Sequence, residues 1–419
     1  MLDVVVIGGG IAGFSAAIGL RLSGHAVTLL EKEDEFKELG AGVQLLPNFT
    51  RIMQSWAILD QIRERSDQPE YLAFRSYRNG DLLQNYRVNP DFERTYGFPY
   101  LNIHRYDLLL VLVAKAQDLG VRLETGSAVS HLDLAQSAVV TTRGQSFRAD
   151  LLVGADGERS FTRSVLLGHP YKPQATGKLV YRFTIDIEKV RADPSLRDLV
   201  EPSAITVWLG PHRHVVAYEI KRGGLMNIAL TCPDPIEGRM IPGPRKADMN
   251  EFREIFEGWD PRFIRLLSMA TEARFWTLLQ LPQENRIWID EDAHNVILIG
   301  DAAHAMTPYL AQGAAQAVED GAFLGHLFDE HAILGDIPAR LKEFCERRQS
   351  RAFTVRSRAQ KAGEIYQLPD GPNQELRDRQ LREGQLVEGF PNPFADPILT
   401  HWLYDYDVEA DAHSCKMVE

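Results

Sequence analysis

The stretch DVVVIGGGIAGFSAAIGLRLSGHAVTLLEKED, residues 3–34, constrains this chain more than any other. Asp3–Ile7 is a short apolar, β-rich run, and Gly8, Gly10 and Gly13 follow it as G-x-G-x-x-G. Ile11, Ser15, Ala16 and Leu20 then recur with a helical period, Gly24 closes the helix, and Val27–Leu30 is a second strand ending at Glu31. Such a strand, glycine turn, helix and strand fold as a βαβ unit at the very N-terminus. The three glycines permit the tight turn, the approach of a pyrophosphate, and close packing of helix on strand. A carboxylate about 20 residues further on holds a ribose diol, the position of Glu31. FAD and NAD share this fingerprint, so the rest of the chain must decide between them.

At 419 residues the chain is too long for one ordinary core, which predicts two intimately packed domains. A net charge of −12 without a Lys/Arg-rich run argues against a nucleic-acid surface. Cys232, Cys345 and Cys415 are scattered and form no C-x-x-C, so neither a disulfide framework nor a metal site is expected. The first strand begins at once, leaving no room for a signal peptide, and runs such as Val4–Ile7 and Val296–Ile299 fall far short of the roughly 20 apolar residues of a membrane helix. We expect a cytoplasmic protein acting on small molecules, as a monomer or homodimer.

After an irregular part at 71–99, a helix is predicted from Tyr106 to Leu119 and a buried strand at Leu151–Gly154. Between about 176 and 280 the runs KLVYRFTI, ITVWLG, HVVAYEI and LMNIALTC, separated by Gly, Pro and Asp, read as antiparallel strands, with one helical piece near 249–268. Helix–strand alternation returns with HNVILIGDAAHA and a long helix near 311–329. The expected class is α/β: a Rossmann-like dinucleotide-binding domain of residues 1–70, 100–175 and 281–360, an inserted antiparallel-sheet domain for the substrate of 71–99 and 176–280, and a helical C-terminal segment, 361–419.

Two further motifs stand at strand ends. GADGERS offers Asp156 and Gly157, and GDAAHAMTPYLAQGAAQAVEDG, residues 300–321, offers Asp301 among small residues. A carboxylate there can bond a sugar or ribitol hydroxyl, and small residues after it let a flat ring approach backbone amides. A DG pair alone is also an ordinary tight turn.

The glycine fingerprint, GADG at 154–157 and GDAAH at 300–304, taken together, resemble the signatures of the single-component FAD-dependent aromatic hydroxylases, the p-hydroxybenzoate hydroxylase family. GAGVQLLPN at 40–48, HR at 104–105, WLGPHRHVVAYEI at 208–220 and PYLAQGAAQAVEDG at 308–321 resemble its salicylate hydroxylase branch, to which Ala311 in AQG also points. The resemblance implies that Gly8, Gly10, Gly13, Glu31 and Lys32 bind the AMP half of FAD, Arg105 the pyrophosphate or ribityl region, Val129 the adenine, and Asp301 the ribityl chain. Asp156 and Gly157 would touch FAD or passing NAD(P)H; Gly42, Val43, Pro308, Gly313 and Ala314 would line the flavin. It implies reduction by NADH or NADPH, addition of O2 at flavin C4a, and oxygen transfer to a phenol, with CO2 lost where the attacked carbon carries a carboxylate.

For the substrate, Arg182 and Tyr218 resemble the family's active-site Arg and Tyr, whereas a salt bridge and core packing are their ordinary alternatives. Gln44 and His214 are further substrate candidates, and Arg51 a partner for phosphate. His104 and His214 suit packing better than polarising a phenol, and His304 suits shaping its loop better than relaying a proton. The rival substrates are a larger phenolic polyketide or a heteroaromatic acid. The rival class is an FAD-dependent oxidase or dehydrogenase without oxygen insertion.

Overall fold

The structure is a computed structural model and describes residues 1–36, 42–241, 243–282, 287–289 and 295–414. Cys415 and the start of the 40–48 stretch lie outside them.

The N-terminal unit forms as expected: strand Asp3–Ile7, helix Ile11–Leu22 and strand Ala26–Leu30. The two strands pair in parallel and anchor a five-stranded parallel sheet with Val296–Leu298, Leu151–Gly154 and Arg122–Glu124. Every residue of Leu151–Gly154 and Val296–Leu298 is buried, as strands covered on both faces must be. Helix Ile11–Leu22 lies against helix Gly313–Leu327. A Cβ on Gly321 would come within 2.3 Å of the Ser15 carbonyl carbon, and one on Gly325 within 2.7 Å of Gly19. The small residues at the C-terminal end of the 300–321 stretch therefore serve helix packing rather than making room for a ring.

The second layer is an eight-stranded sheet in the order Arg245–Lys246, Arg274–Gln280, Gln174–Asp186, Leu225–Pro233, Arg213–Ile220, Ala204–Gly210, Tyr71–Ser76 and Leu82–Arg87. It is not wholly antiparallel: Ala204–Gly210 runs parallel to Tyr71–Ser76, because residues 71–87 reach the sheet from a distant part of the chain. Its outer face buries Leu179, Phe183, Trp208 and Val215 under helices Met249–Glu254 and Pro261–Met269, which replace the single helical piece expected at 249–268. Pro261 starts a fresh helix after the Asp260 cap. Its inner face carries Phe74, Val207, Tyr218 and Ile220 against the C-terminal helices.

Helix Ile337–Tyr366 runs unbroken through 360, so the chain has no boundary where the C-terminal segment was expected to begin. Three short strands, Val129–Asp133, Ala138–Thr141 and Ser146–Arg148, form a separate sheet. Cys232 and Cys345 are free and buried, and among the described residues no helix is long and apolar enough to cross a membrane.

Candidate active site

Two helices start without a capping side-chain hydrogen bond. At the first, Gly8 has φ of +109° and Gly10 caps helix Ile11–Leu22 without a side chain. A Cβ on Gly13 would stand 1.9 Å from the Gly8 carbonyl oxygen, so only glycine fits. Glu31 accepts hydrogen bonds from the amides of Gly9 (2.7 Å) and Glu33 (2.9 Å), which fixes its carboxylate beside the turn. Lys32 is exposed and 3.9 Å from Glu33.

At the second, Gly300 leads from Val296–Leu298 into helix Asp301–His304 with Asp301 exposed at its first position. The short 3-10 turn Pro308–Leu310 and Ala311, at φ +52°, then start helix Gly313–Leu327. No acidic group lies in that helix's first turn, and neither Gly313 nor Ala314 offers a capping side chain. Its open amides carry the positive end of a 15-residue helix. These features fit a dinucleotide with a flavin: one helix start for phosphate, a carboxylate at each of two strand ends, and a dipole for the ring edge that gathers negative charge on reduction.

Asp156 has a structural duty as well. Its carboxylate accepts from Ser160 Oγ, from the Thr162 amide (2.9 Å) and from Thr162 Oγ1 (3.1 Å), holding the turn into helix Phe161–Leu166. Gly157 has φ of +80° in that turn. Burial and the nearby Asp301 raise the Glu158 pKa. Arg105 is exposed at the first position of helix Arg105–Asp118, while His104 accepts from the Tyr106 amide (3.3 Å) as its cap. Val129 is half-buried at the head of its strand.

Strand pairing brings the substrate candidates onto one face. Arg182 is opposite Ala229, Ala229 opposite Val216 and Val216 opposite Val207; the next row holds Thr184, Asn227 and Tyr218, and the row on the other side Val180, Thr231 and His214. Three chemistry-bearing side chains, Arg182, Tyr218 and His214, thus share the inner face. Arg182 and Tyr218 converge on strand Gly42–Leu45: Arg182 Nη1 donates to the Gly42 carbonyl oxygen (3.4 Å), and the Gly42 amide donates to Asn227 Oδ1 (3.2 Å). A Cβ on Gly42 would meet Tyr218 Cε2 at 2.5 Å. Val43 is half-buried, and Gln44 Oε1 accepts from Tyr100 Oη (2.9 Å).

Among the described residues Arg182 has no carboxylate partner, so the salt-bridge alternative does not apply. Its Nε and the Asn227 Nδ2 are buried without acceptors, and its guanidinium lies 5.8 Å from the Trp276 ring. Burial lowers the Arg182 pKa, and Arg105 adds to this while Tyr218 opposes it. The Tyr218 phenol is pushed up to about 12 by burial, against Arg182, so it stays a donor. His214 bonds Gln367 through Nδ1 (3.0 Å) and packs on Tyr309 and Tyr366. Burial, with Lys178 adding, lowers its pKa to about 3, which removes it as a group titrating near neutrality.

Other readings resolve into structure. Arg51 reaches the Tyr404 carbonyl (3.4 Å) and the Phe98 ring (4.8 Å), not a phosphate loop. His304 bonds Asp320 (2.6 Å) and shapes its loop. Sequence reasoning missed the cluster behind it. Arg348 bonds Glu319 (2.7 Å) and Asp320 (2.9 Å), Arg351 bonds Glu319 (2.7 Å), and Asn48 joins Glu319 (2.7 Å) to Gln312 (2.9 Å), the cap of the second helix start. Its signal was two acids inside an otherwise apolar helix, matched by two arginines three apart on another.

Comparison with known proteins places the chain in a family. Residues 1–232 match the family model described as "FAD binding domain". The chain is 38% identical to the FAD-dependent monooxygenase OpS4 of Beauveria bassiana (strain ARSEF 2860), over 99% of this chain and 97% of that one. It is 32% identical to a 3-hydroxybenzoate 6-hydroxylase of Klebsiella oxytoca, over 78% and 79%. A salicylate hydroxylase solved with substrate superposes with a TM-score of 0.79 at 25% identity, over 98% of this chain and 97% of that one. The chain therefore belongs to the FAD-dependent monooxygenases of the aromatic hydroxylase family.

Proposed function

We propose that this protein hydroxylates a phenolic acid, of the size of a hydroxybenzoate, using FAD, NADH or NADPH, and O2. The observation that carries the reading is the meeting of Arg182, Tyr218 and the Gly42 peptide on the inner sheet face. Relatives named for hydroxybenzoates support it.

Bound FAD would supply the redox chemistry with O2; Gly8, Gly10, Gly13 and Glu31 would hold its AMP half, and Asp301, Gly313 and Ala314 its flavin half. Lys32, Val129, Arg105, Asp156 and Gly157 are proposed contacts along the cofactor, and Val43, Gln44 and Pro308 line the ring. Arg182, which has no carboxylate partner among the described residues, stabilises the ring oxygen as phenolate. Tyr218 donates to the same oxygen, and His214 lines the pocket as a neutral ring. The buried apolar residues around them, Phe74, Val207 and Ile205, keep water from the reacting carbon. Where that carbon carries a carboxylate, CO2 leaves with the substitution.

A panel of hydroxybenzoates, each scored for faster NAD(P)H oxidation and for a new ring hydroxyl by mass, tests the proposal. Reoxidation yielding only hydrogen peroxide with every phenol would favour an oxidase.

A further inference from the structure

One cavity lies outside the residues assigned so far. It has a volume of about 330 Å³ and is lined by Lys178, Gln280, Thr307, Tyr309, Gln360 and Gln367, with Glu364 on the same wall. Thr307 and Tyr309 flank Pro308, and Gln367 bonds His214, so the cavity adjoins the inner sheet face next to the Arg182 row. Tyr309 is tied to that face too, through side-chain bonds with Gln367 and Thr231.

Two of the polar groups there, on Lys178 and Thr307, lack a full set of partners among the described residues. Lys178 is half-buried, and its Nζ donates only to the His212 carbonyl (2.9 Å); among the described residues no carboxylate pairs with it. Thr307 is 6% exposed, yet among the described residues its Oγ1 has no partner. The acid of the lining, Glu364, is exposed and accepts from Gln360 (3.4 Å). In a chain of net charge −12, a cation held unpaired at a cavity wall selects for anions.

We propose that this cavity binds the carboxylate of the substrate through Lys178 and Thr307, while the ring oxygen lies at Arg182 and Tyr218. The inference rests on the hydroxylase reading and narrows it. Lys178 and Arg182 point to the same face of one strand, four residues and so about 13 Å apart at the backbone. Two side chains approaching from that separation suit an acid whose carboxylate is meta or para to the phenol, rather than adjacent to it.

The test is equilibrium binding of 3-hydroxybenzoate and of 3-hydroxybenzamide, which differ only in charge, to the oxidised FAD-loaded enzyme, followed through the flavin absorbance. The wild type prefers the acid, and Lys178→Gln lowers the ratio of the two affinities at least tenfold, the worth of a charge-assisted hydrogen bond. Lys178→Arg restores most of it. Thr307→Val lowers the same ratio by a smaller factor. A ratio unchanged in Lys178→Gln overturns the proposal, as does one that falls equally in Lys178→Gln and Lys178→Arg. Product analysis separates the two readings. Loss of selectivity without any hydroxylated product removes the hydroxylase reading and keeps the anion site, whereas turnover with unchanged selectivity removes only the site.

Discussion

Arg182 donates to the carbonyl oxygen of Gly42 across 3.4 Å, and the amide of the same glycine donates to Asn227, so the sheet holds the Gly42 backbone through both its carbonyl and its amide. Tyr218 completes the grip, because its ring fills the space a Gly42 side chain would need. Tyr218→Phe keeps the ring and removes only the donor. We expect kcat/KM to fall ten- to a hundredfold with an unchanged melting temperature, the worth of one hydrogen bond to a charged oxygen. An unchanged kcat/KM would assign Tyr218 to packing alone.

Gly13→Ala places a Cβ 1.9 Å from the Gly8 carbonyl oxygen, which the turn cannot absorb without moving the start of the helix. The purified variant should carry little FAD, read from the ratio of flavin to protein absorbance. Glu31→Gln retains the fold, and its FAD should dissociate about tenfold faster, since one charged acceptor becomes neutral. Wild-type flavin content in both variants would contradict the assignment.

Behind the second helix start, Arg348 and Arg351 neutralise Glu319 and Asp320 with almost no exposure to water. Arg348→Met leaves a buried acid short of its partner and should cost about 3–5 kcal/mol in chemical denaturation. Because Asn48 links Glu319 to Gln312 at the helix cap, the variant should also lose FAD more readily than other variants of equal stability.

His214 makes stability depend on pH with a definite sign. Burial, and then Lys178, depress its pKa from 6.5 to about 3, so between those values the unfolded chain binds a proton that the folded one refuses. The His214 contribution is whole above pH 6.5 and is lost as pH falls toward 3, by about 1.4 kcal/mol per pH unit. His214→Phe should therefore flatten that part of the curve relative to the wild type. A constant difference between the two proteins across the window would contradict the burial of a neutral ring.

The first thirty residues were readable because Gly8, with its positive φ against the Ala155 carbonyl, and Gly13, against the Gly8 carbonyl, leave no room for a side chain. The sheet was readable as strands, but not in its order. The parallel pairing of Ala204–Gly210 with Tyr71–Ser76 joins runs more than a hundred residues apart, and local pattern says nothing of such pairs. Asn227 went unnoticed for the same reason: within LMNIALTC it is one polar residue in a strand, and only strand register sets it beside Gly42. Arg51 was read as a partner for phosphate and His214 as a substrate candidate, yet their partners Tyr404 and Gln367 come from the C-terminal part of the chain, which the sequence describes only as helical.

The central claim is that oxygen from O2 enters a phenolic ring. Turnover of a hydroxybenzoate with NADH or NADPH under 18O2 tests it most directly. The account predicts one 18O atom in each hydroxylated product and one product per nicotinamide oxidised. Full oxidation of the nicotinamide with 18O recovered only in hydrogen peroxide, and the phenol unchanged, would contradict it.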